Sequence, residues 1–203
     1  MIIGITGGTG CGKTALLNVV RDLGGLVLDC DAIYHELLQT DEQLLKDIET
    51  RFPGTVENGQ LQRKKLGSIV FNDPAALKDL NEITHGAVKA EVIRRLAVSP
   101  KLAAIDAIGL FESGLYKLCK LTVAVTAPRE VRVARLMARD QISREYAEAR
   151  IDAQPAPEEF IRRCDRHLEN DGTLSSFRTK CLAFFGELGI IEKNSKGVIT
   201  YDN

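Results

Sequence analysis

Near the start of the 203-residue chain, Gly7-Gly8-Thr9-Gly10-Cys11-Gly12-Lys13-Thr14 satisfies G-x-x-x-x-G-K-[S/T]. Glycine lets a backbone take positive φ and come close to an anion, so successive N–H groups can wrap a triphosphate at the positive end of a helix. The nucleotide contacts expected from this pattern are Gly8, Thr9, Gly10, Cys11, Gly12, Lys13, Thr14 and Ala15. Lys13 would reach the β- and γ-phosphates of ATP, and Thr14 would ligate Mg²⁺. Carboxylates follow two other apolar runs: Asp29 and Asp31 after Leu26-Val27-Leu28, and Asp106 at the end of Leu102-Ala103-Ala104-Ile105. In open α/β sheets ligands sit outside the carboxyl ends of strands, which puts these acids on the edge that carries the phosphate loop. Asp31 can equally serve as N-cap of a helix beginning Ala32-Ile33-Tyr34, and Asp106 either as the Mg²⁺-linked carboxylate that often ends such a strand in phosphate-loop proteins or as a turn or cap residue.

Arg129, Arg132, Arg135 and Arg139 recur at three- and four-residue spacing and share one face of a helix. Like charges on one stripe repel, so Arg129 and Arg132 read as a solvated face with Glu130 and Asp140 as partial partners. Arg139 stands at the helix end, before the polar stretch Asp140 to Glu145 and a helical Tyr146 to Ala153. A hinged, arginine-rich segment beside a phosphate loop is what a kinase lid needs: bidentate donors to the moving phosphoryl group, and exclusion of water. Arg63-Lys64-Lys65 is a short basic run that reads as a solvated helix start or an anion contact. His35 and His167 read as surface or packing residues.

The elements that must position these groups alternate. Ile2 to Thr6 is an apolar strand, Ala15 to Val20 opens a helix, Leu23-Gly24-Gly25 stops it, and Leu26 to Leu28 is the next strand. Between about 40 and 100, Leu44-Leu45-x-x-Ile48 and Leu77-x-x-Leu80-x-x-Ile83 predict amphipathic helices, with turns at Pro53-Gly54 and Asn58-Gly59. Parallel strands resume at Leu102 to Asp106 and Leu121 to Val125, and Pro128 opens the arginine helix. A short helix near Pro155 to Phe160, a weak last strand within Cys164 to Gly172 and a final helix from about Ser175 to Leu188, burying Phe177, Leu182 and Phe185, complete the pattern. Ile190 to Asn203 takes no assignment.

Composition excludes several classes. The chain has 27 basic and 28 acidic residues, so no global positive field draws nucleic acid or anionic membrane. Five cysteines with no C-x-x-C pair suit reduced cytosolic thiols, and the three histidines form no metal cluster. The first strand begins at the N-terminus, and no apolar run has the length of a membrane span. The expectation is a soluble, cytoplasmic protein.

Taken together, these residues resemble the bacterial dephospho-coenzyme A kinases. The resemblance rests on Thr6-Gly7-Gly8, on Asp29-Cys30-Asp31, and on Leu61-Gln62-Arg63 with Leu66 and Val70-Phe71-Asn72-Asp73-Pro74. It continues through Leu80-Asn81, His85, Leu110-Phe111-Glu112, Leu115-Tyr116, Arg139-Asp140, Arg150-Ile151-x-x-Gln154, Asp165 and Asn170-x-Gly172. The resemblance implies an α/β fold of the P-loop nucleotide-kinase-like type, a three-layer sandwich with a five-stranded parallel sheet, a helical acceptor lobe and a short lid. It implies one domain over residues 1–203, with core 1–31, 101–137 and 161–203, acceptor lobe 32–100 and lid 138–160. It implies transfer of the ATP γ-phosphoryl to the ribose 3′-hydroxyl of dephospho-coenzyme A, the last step in making coenzyme A. Asp31 is then the general base, Lys13 and Arg139 attend the moving phosphoryl, and Thr6, Asp31, Arg63, His85, Leu110 and Glu112 hold the acceptor. No macromolecular partner is implied, and the chain is expected as a monomer or weak homo-oligomer.

The chain departs from the family pattern in the acceptor region. His85-Gly86, after Thr84, stands where the family has an apolar residue and then His-Pro, and Ile108-Gly109 stands where a proline precedes the Leu-Leu-x-Glu segment. A related kinase with another nucleotide-like or nucleoside-like acceptor is the alternative this raises. A GTP switch fits less well: Asp106-Ala107-Ile108-Gly109 spells D-x-x-G, but no N-K-x-D follows any strand.

Overall fold

The computed structural model describes residues 1–193 and the backbone of 199–200. Contacts divide it into two compact units: residues 1–27, 100–110 and 116–203 in the first, and residues 28–99 and 111–115 in the second.

The strands of the main sheet are β1 (Ile2–Thr6), β2 (Leu26–Asp29), β5 (Ala103–Asp106), β6 (Leu121–Thr126) and β7 (Arg166–Glu169). They form a five-stranded parallel sheet in the order β2-β5-β1-β6-β7. β1 is therefore central, with Ile3 opposite Ala104 on one side and Leu121 on the other. The residues of β1 from Ile3 onward, and nearly all of β5 and β6, are buried, as their continuous apolar runs require of a parallel sheet covered on both faces.

In the first unit, α1 (Lys13–Asp22) and α9 (Leu174–Glu187) pack on the sheet. Leu16, Val20, Phe177 and Phe185 join Ile3, Ile5, Val123 and Val125 in one core cluster. Burying each phenylalanine contributes about 2–3 kcal/mol. The buried stripe of α9 is Phe177, Cys181, Phe184 and Phe185, while Leu182 lies at its margin, only partly buried. A helix with 3.6 residues per turn turns Leu182 away from Phe177. Burial pushes the Cys119 thiol up to about 12 and those of Cys164 and Cys181 to about 11, so none of these three supplies a thiolate at neutral pH. A second cluster joins Val133 and Leu136 of α6 (Arg129–Asp140) to Ala147 and Ile151 of α7 (Arg144–Asp152). The short α8 (Pro157–Arg163) leads into β7.

The second unit contains α2 (Cys30–Thr40), α3 (Glu42–Arg51), the pair β3 (Val56–Glu57) and β4 (Gln60–Leu61), α4 (Arg63–Val70) and the long α5 (Pro74–Leu96). The Leu44, Leu45 and Ile48 face of α3 is buried as its spacing predicts. α5 differs: it buries Ala76, Val88 and Val92 and leaves Leu77 at 39% exposure. Compact side chains suit its close packing on α2, α3 and α4. The hairpin is an element the sequence reading missed. Only its turn is visible in sequence, where Asn58 and Gly59 take φ of 50° and 73°, the conformation of a two-residue hairpin loop.

Of the tail left unassigned, Ile191 is buried in the core of the first unit, β8 (Glu192–Lys193) pairs antiparallel with β9 (Ile199–Thr200), and residues 194–198 and 201–203 lie outside the described residues. Among the described residues no helix is long and apolar enough to cross a membrane.

Candidate active site

The loop from Gly7 to Gly12 joins β1 to α1. Gly7, Gly10 and Gly12 take φ of 142°, 77° and 89°, a region costly for any residue with a Cβ. Gly8 does not, and its reason is space: a Cβ there would stand 2.4 Å from Arg132 Nη2 and 3.1 Å from Gln154 Oε1. Gly12 is the N-cap of α1 and brings no capping side chain, so the helix's first N–H groups remain available for an anion. Lys13 Nζ donates to the Gly7 carbonyl at 2.9 Å, which carries the ammonium back across the loop. Thr14 is exposed, and among the described residues its hydroxyl has no protein partner.

Four side chains, Arg132, Arg135, Gln154 and Asn170, brace this loop, a role that neither charge nor periodicity marks. Arg132 is 3% exposed; its Nε donates to the Thr9 carbonyl at 2.9 Å and its Nη2 to Gln154 Oε1 at 3.4 Å. The expectation of a solvated Arg132 is therefore wrong. A buried stripe can hold arginines when backbone carbonyls accept from them, and the phosphate loop supplies those carbonyls. Arg135 Nη1 donates to the Gly10 carbonyl at 3.3 Å and its Nη2 to Asn170 Oδ1 at 3.0 Å. Asn170, just after β7, is 3% exposed and donates through Nδ2 to the Cys11 carbonyl at 3.0 Å. Of the two arginines expected to be solvated, Arg129 is, though its partner is Asp152 rather than Glu130. One clue was present in sequence: Arg132 lies four residues from Leu136, on the side of α6 that packs inward.

Arg139 is exposed and donates to Asp140 through Nε at 2.7 Å and Nη2 at 2.9 Å. Arg150 Nη1 also donates to Asp140, at 2.6 Å. The hydrogen bond from Arg139, then that from Arg150, holds the Asp140 carboxyl at about 2. The structure thus gives the loop contacts to Arg132 and Arg135 and pairs Arg139 within its own segment.

In the second unit, Asp29 caps α2 by accepting from Ala32 N at 3.0 Å. Asp31, the other candidate cap, is relieved of that work. It is exposed in the first turn, and among the described residues its carboxylate has no hydrogen-bond or ion-pair partner. Tyr34 and His35 follow one turn along α2, on the same side as Asp31. Arg63 Nη2 lies 3.2 Å from His35 Nδ1. A guanidinium can only donate, so Nδ1 accepts and the proton of a neutral His35 sits on Nε2. Burial pushes the Tyr34 hydroxyl up, with the Arg63 charge opposing it. Elsewhere in this unit, burial lowers the His85 pKa and the Glu112 charge partly opposes that shift.

The family model for dephospho-CoA kinase matches residues 1–176. The chain belongs to the dephospho-CoA kinase family. A relative named dephospho-CoA kinase from Moorella thermoacetica is 36% identical over 194 residues, covering 92% of each chain. The crystal structure of TT1252 from Thermus thermophilus is similar with a TM-score of 0.77 and 36% identity, over 93% of this chain and 97% of that one. A dephospho-CoA kinase structure from Campylobacter jejuni is similar with a TM-score of 0.64 and 27% identity, over 92% and 96%. The fold is accordingly the α/β, P-loop nucleotide-kinase-like fold expected from sequence.

Among the acceptor residues expected from the dephospho-CoA kinase family, two are fully buried. Thr6 is fully buried, and its hydroxyl donates to the Ile108 carbonyl at 3.0 Å. Leu110 is also fully buried, against Gly4, where a Cβ would approach its Cδ2 to 2.8 Å. Arg63, His85, Glu112 and Asp31 remain at least partly accessible. Gly86 lies inside the unbroken α5, and a Cβ there would meet nothing within 4 Å.

Proposed function

We propose that the chain transfers the γ-phosphoryl group of ATP to the ribose 3′-hydroxyl of dephospho-coenzyme A, giving coenzyme A and ADP. The observation that carries this reading is the phosphate loop: three positive-φ glycines, an uncapped helix start and Lys13, braced by Arg132, Arg135 and Asn170. Family membership supplies the acceptor.

In this reading the loop amides of Gly8, Gly10, Gly12, Lys13 and Thr14 hold the phosphates at the positive end of α1, since the N–H groups of Thr9, Cys11 and Ala15 already donate to Gln154 Oε1 and to the Gly8 and Gly12 carbonyls. The Lys13 ammonium leaves the Gly7 carbonyl for the β- and γ-oxygens, where it serves ground state and transition state alike. Asp31 orients the ribose hydroxyl and takes its proton. A carboxylate suffices, because the hydroxyl becomes acidic only late in a loose transition state. Arg139 exchanges Asp140 for the moving phosphoryl when the segment 138–160 closes as a lid, and residues 32–100, with Arg63, His85 and Glu112, hold the acceptor.

The donor set at Thr14 fits Mg²⁺: its hydroxyl is exposed and uncommitted, and the described residues contain no group of three His, Cys, Asp or Glu suited to caging a metal. A hard cation held by one hydroxyl, phosphates and water is the usual arrangement. When bound, Mg²⁺ offsets charge on the β- and γ-oxygens. The reading places the protein in the cytoplasm as a monomer or weak homo-oligomer.

The test is ADP release from Mg-ATP with dephospho-coenzyme A, adenosine, AMP or no acceptor, with the product checked by mass and by 3′-nucleotidase. Turnover with dephospho-coenzyme A alone, giving a 3′-phosphate, is expected. Tight ATP binding without turnover on that acceptor would move the assignment to another ribose hydroxyl.

A further inference from the structure

Gln154 has so far no part in the chemistry. It follows the C-cap of α7, and its backbone N–H turns back to the Ile151 carbonyl at 3.2 Å. Pro155 and Pro157 then restrict the chain beyond it, so a stiff segment delivers its side chain. That side chain meets the phosphate loop directly: Thr9 N donates to Gln154 Oε1 at 2.7 Å. Arg132 Nη2 donates to the same oxygen at 3.4 Å while Arg132 Nε donates to the Thr9 carbonyl. Gln154 and Arg132 together therefore grip Thr9 at its N–H and its C=O, in the space that Gly8 leaves open.

The orientation of the Gln154 amide follows from its partners. A backbone N–H and a guanidinium can only donate, so Oε1 must face both, and the NH₂ group must face away. Among the described residues Nε2 makes no hydrogen bond. The oxygen and nitrogen of an amide are about 2.3 Å apart, which keeps Nε2 within about 5 Å of the Thr9 nitrogen. A cavity of about 340 Å³ that Gln154 and Arg132 line with Arg129, Ile151, Asp152 and Pro155 has no phosphate-loop residue in its wall, so it is separate from the space the Gln154 amide shares with the loop. The limb of the loop concerned is the one Lys13 spans, since its ammonium rests on the Gly7 carbonyl. A lysine in this motif serves the β- and γ-phosphates, so Gly7 to Thr9 borders the γ end of a bound triphosphate.

We propose that Gln154 is a γ-phosphoryl contact: Thr9 and Arg132 lock its Oε1, and its two Nε2 donors meet the equatorial oxygens of the transferring group. This inference rests on the reading of the loop as an ATP site. It makes Gln154 the means by which the segment after α7 distinguishes ATP from ADP. A neutral amide suits that position, giving two preorganised donors where charge spreads during transfer without adding a third cation next to Arg132 and Lys13.

Gln154→Glu isolates the donors. A carboxylate still accepts from Thr9 N and Arg132, so the brace survives, but the NH₂ group is replaced by an anion. Gln154→Ala removes both functions. For the wild type and both variants, the measurements are melting temperature, calorimetric affinity for ADP and for a β,γ-methylene ATP analogue, and kcat and KM with dephospho-coenzyme A. Gln154→Glu is expected to keep its melting temperature and to hold ADP within about twofold. It should bind the ATP analogue roughly tenfold more weakly and lose about a hundredfold or more in kcat, with the KM for acceptor little changed. Gln154→Ala should fall between it and the wild type in kcat. Analogue affinity and kcat within about threefold of wild type in Gln154→Glu would overturn the proposal. Equal losses of ADP and analogue affinity together with a lowered melting temperature would also overturn it, making Gln154 a brace alone. A wild-type chain inactive on dephospho-coenzyme A that still shows the ADP-to-analogue split would refute the acceptor assignment and leave the γ contact standing.

Discussion

Asn170 donates through Nδ2 to the Cys11 carbonyl at 3.0 Å, and its Oδ1 accepts from Arg135 Nη2 at the same distance. One buried amide at the end of β7 thus ties the phosphate loop to α6. The fit is tight, since a Cβ on Gly12 would come within 2.1 Å of Asn170 Nδ2. Replacing Asn170 by alanine leaves a buried carbonyl and a guanidinium short of a partner, a loss of about 1–3 kcal/mol. At 2 kcal/mol the melting temperature of a chain this size falls by roughly 4–8 °C. Asn170→Asp should do worse, because it turns an acceptor toward the Cys11 carbonyl. Calorimetric melting of both variants checks the ranking, and wild-type melting in Asn170→Ala would show that the tie carries no stability.

The two arginines near the reacting groups should separate by what they change. Arg132 is buried on the Thr9 carbonyl, so Arg132→Gln should lower the melting temperature and weaken ADP and ATP alike, by roughly 2 kcal/mol of lost charge-assisted hydrogen bonding. Arg139 is exposed and paired with Asp140, so Arg139→Gln should leave melting nearly unchanged. If Arg139 reaches the phosphoryl group on closure, that variant still loses roughly a hundredfold in kcat. Unchanged kcat would transfer the role to Arg132, Lys13 and Gln154.

Asp29 takes the cap, and among the described residues Asp31 has no partner. Asp31→Ala should therefore keep α2 and the affinity for ATP, while kcat falls by roughly a hundredfold or more, as loss of a general base requires. Asp29→Ala should behave in the opposite way, costing about 1 kcal/mol of helix stability through the lost cap with a smaller effect on rate. Equal kcat in Asp31→Ala and the wild type would remove Asp31 from the mechanism.

The phosphate loop, the parallel strands and the helices around them were legible in sequence because each is a local pattern: glycine spacing, apolar runs, proline and glycine stops. The braces were not. Arg132, Arg135, Gln154 and Asn170 come from three separate stretches and meet only at loop carbonyls and one loop amide, so neither charge nor periodicity marks them. A row of arginines is read as solvated when its acceptors are backbone atoms more than a hundred residues away. The hairpin β3–β4 was missed for a different reason: two residues per strand give no alternation to detect, and only Asn58-Gly59 declares the turn.

His85 gives a prediction whose sign follows from its surroundings. Burial lowers its folded-state pKa below the usual value of 6.5, and the Glu112 charge opposes this only in part. Between the lowered folded value and 6.5 the unfolded chain holds a proton on this ring that the folded chain does not. Stability then rises with pH through that window. The contribution is fully present above 6.5, is lost as pH falls through that value, and stops declining once the folded ring is itself protonated. Denaturant unfolding measured between about pH 5 and 7.5 should show this slope in the wild type, and His85→Gln, which keeps a polar side chain without a titrating ring, should flatten it. Were the folded pKa raised instead by Glu112, the wild-type slope would have the opposite sign and stability would increase as pH falls. If His85 holds the acceptor as proposed, the same titration reaches substrate binding: a neutral His85 beside Glu112 can donate or accept through its ring, whereas a protonated one only donates. The KM for dephospho-coenzyme A in the wild type should therefore change across the window in which stability changes, and in His85→Gln it should not.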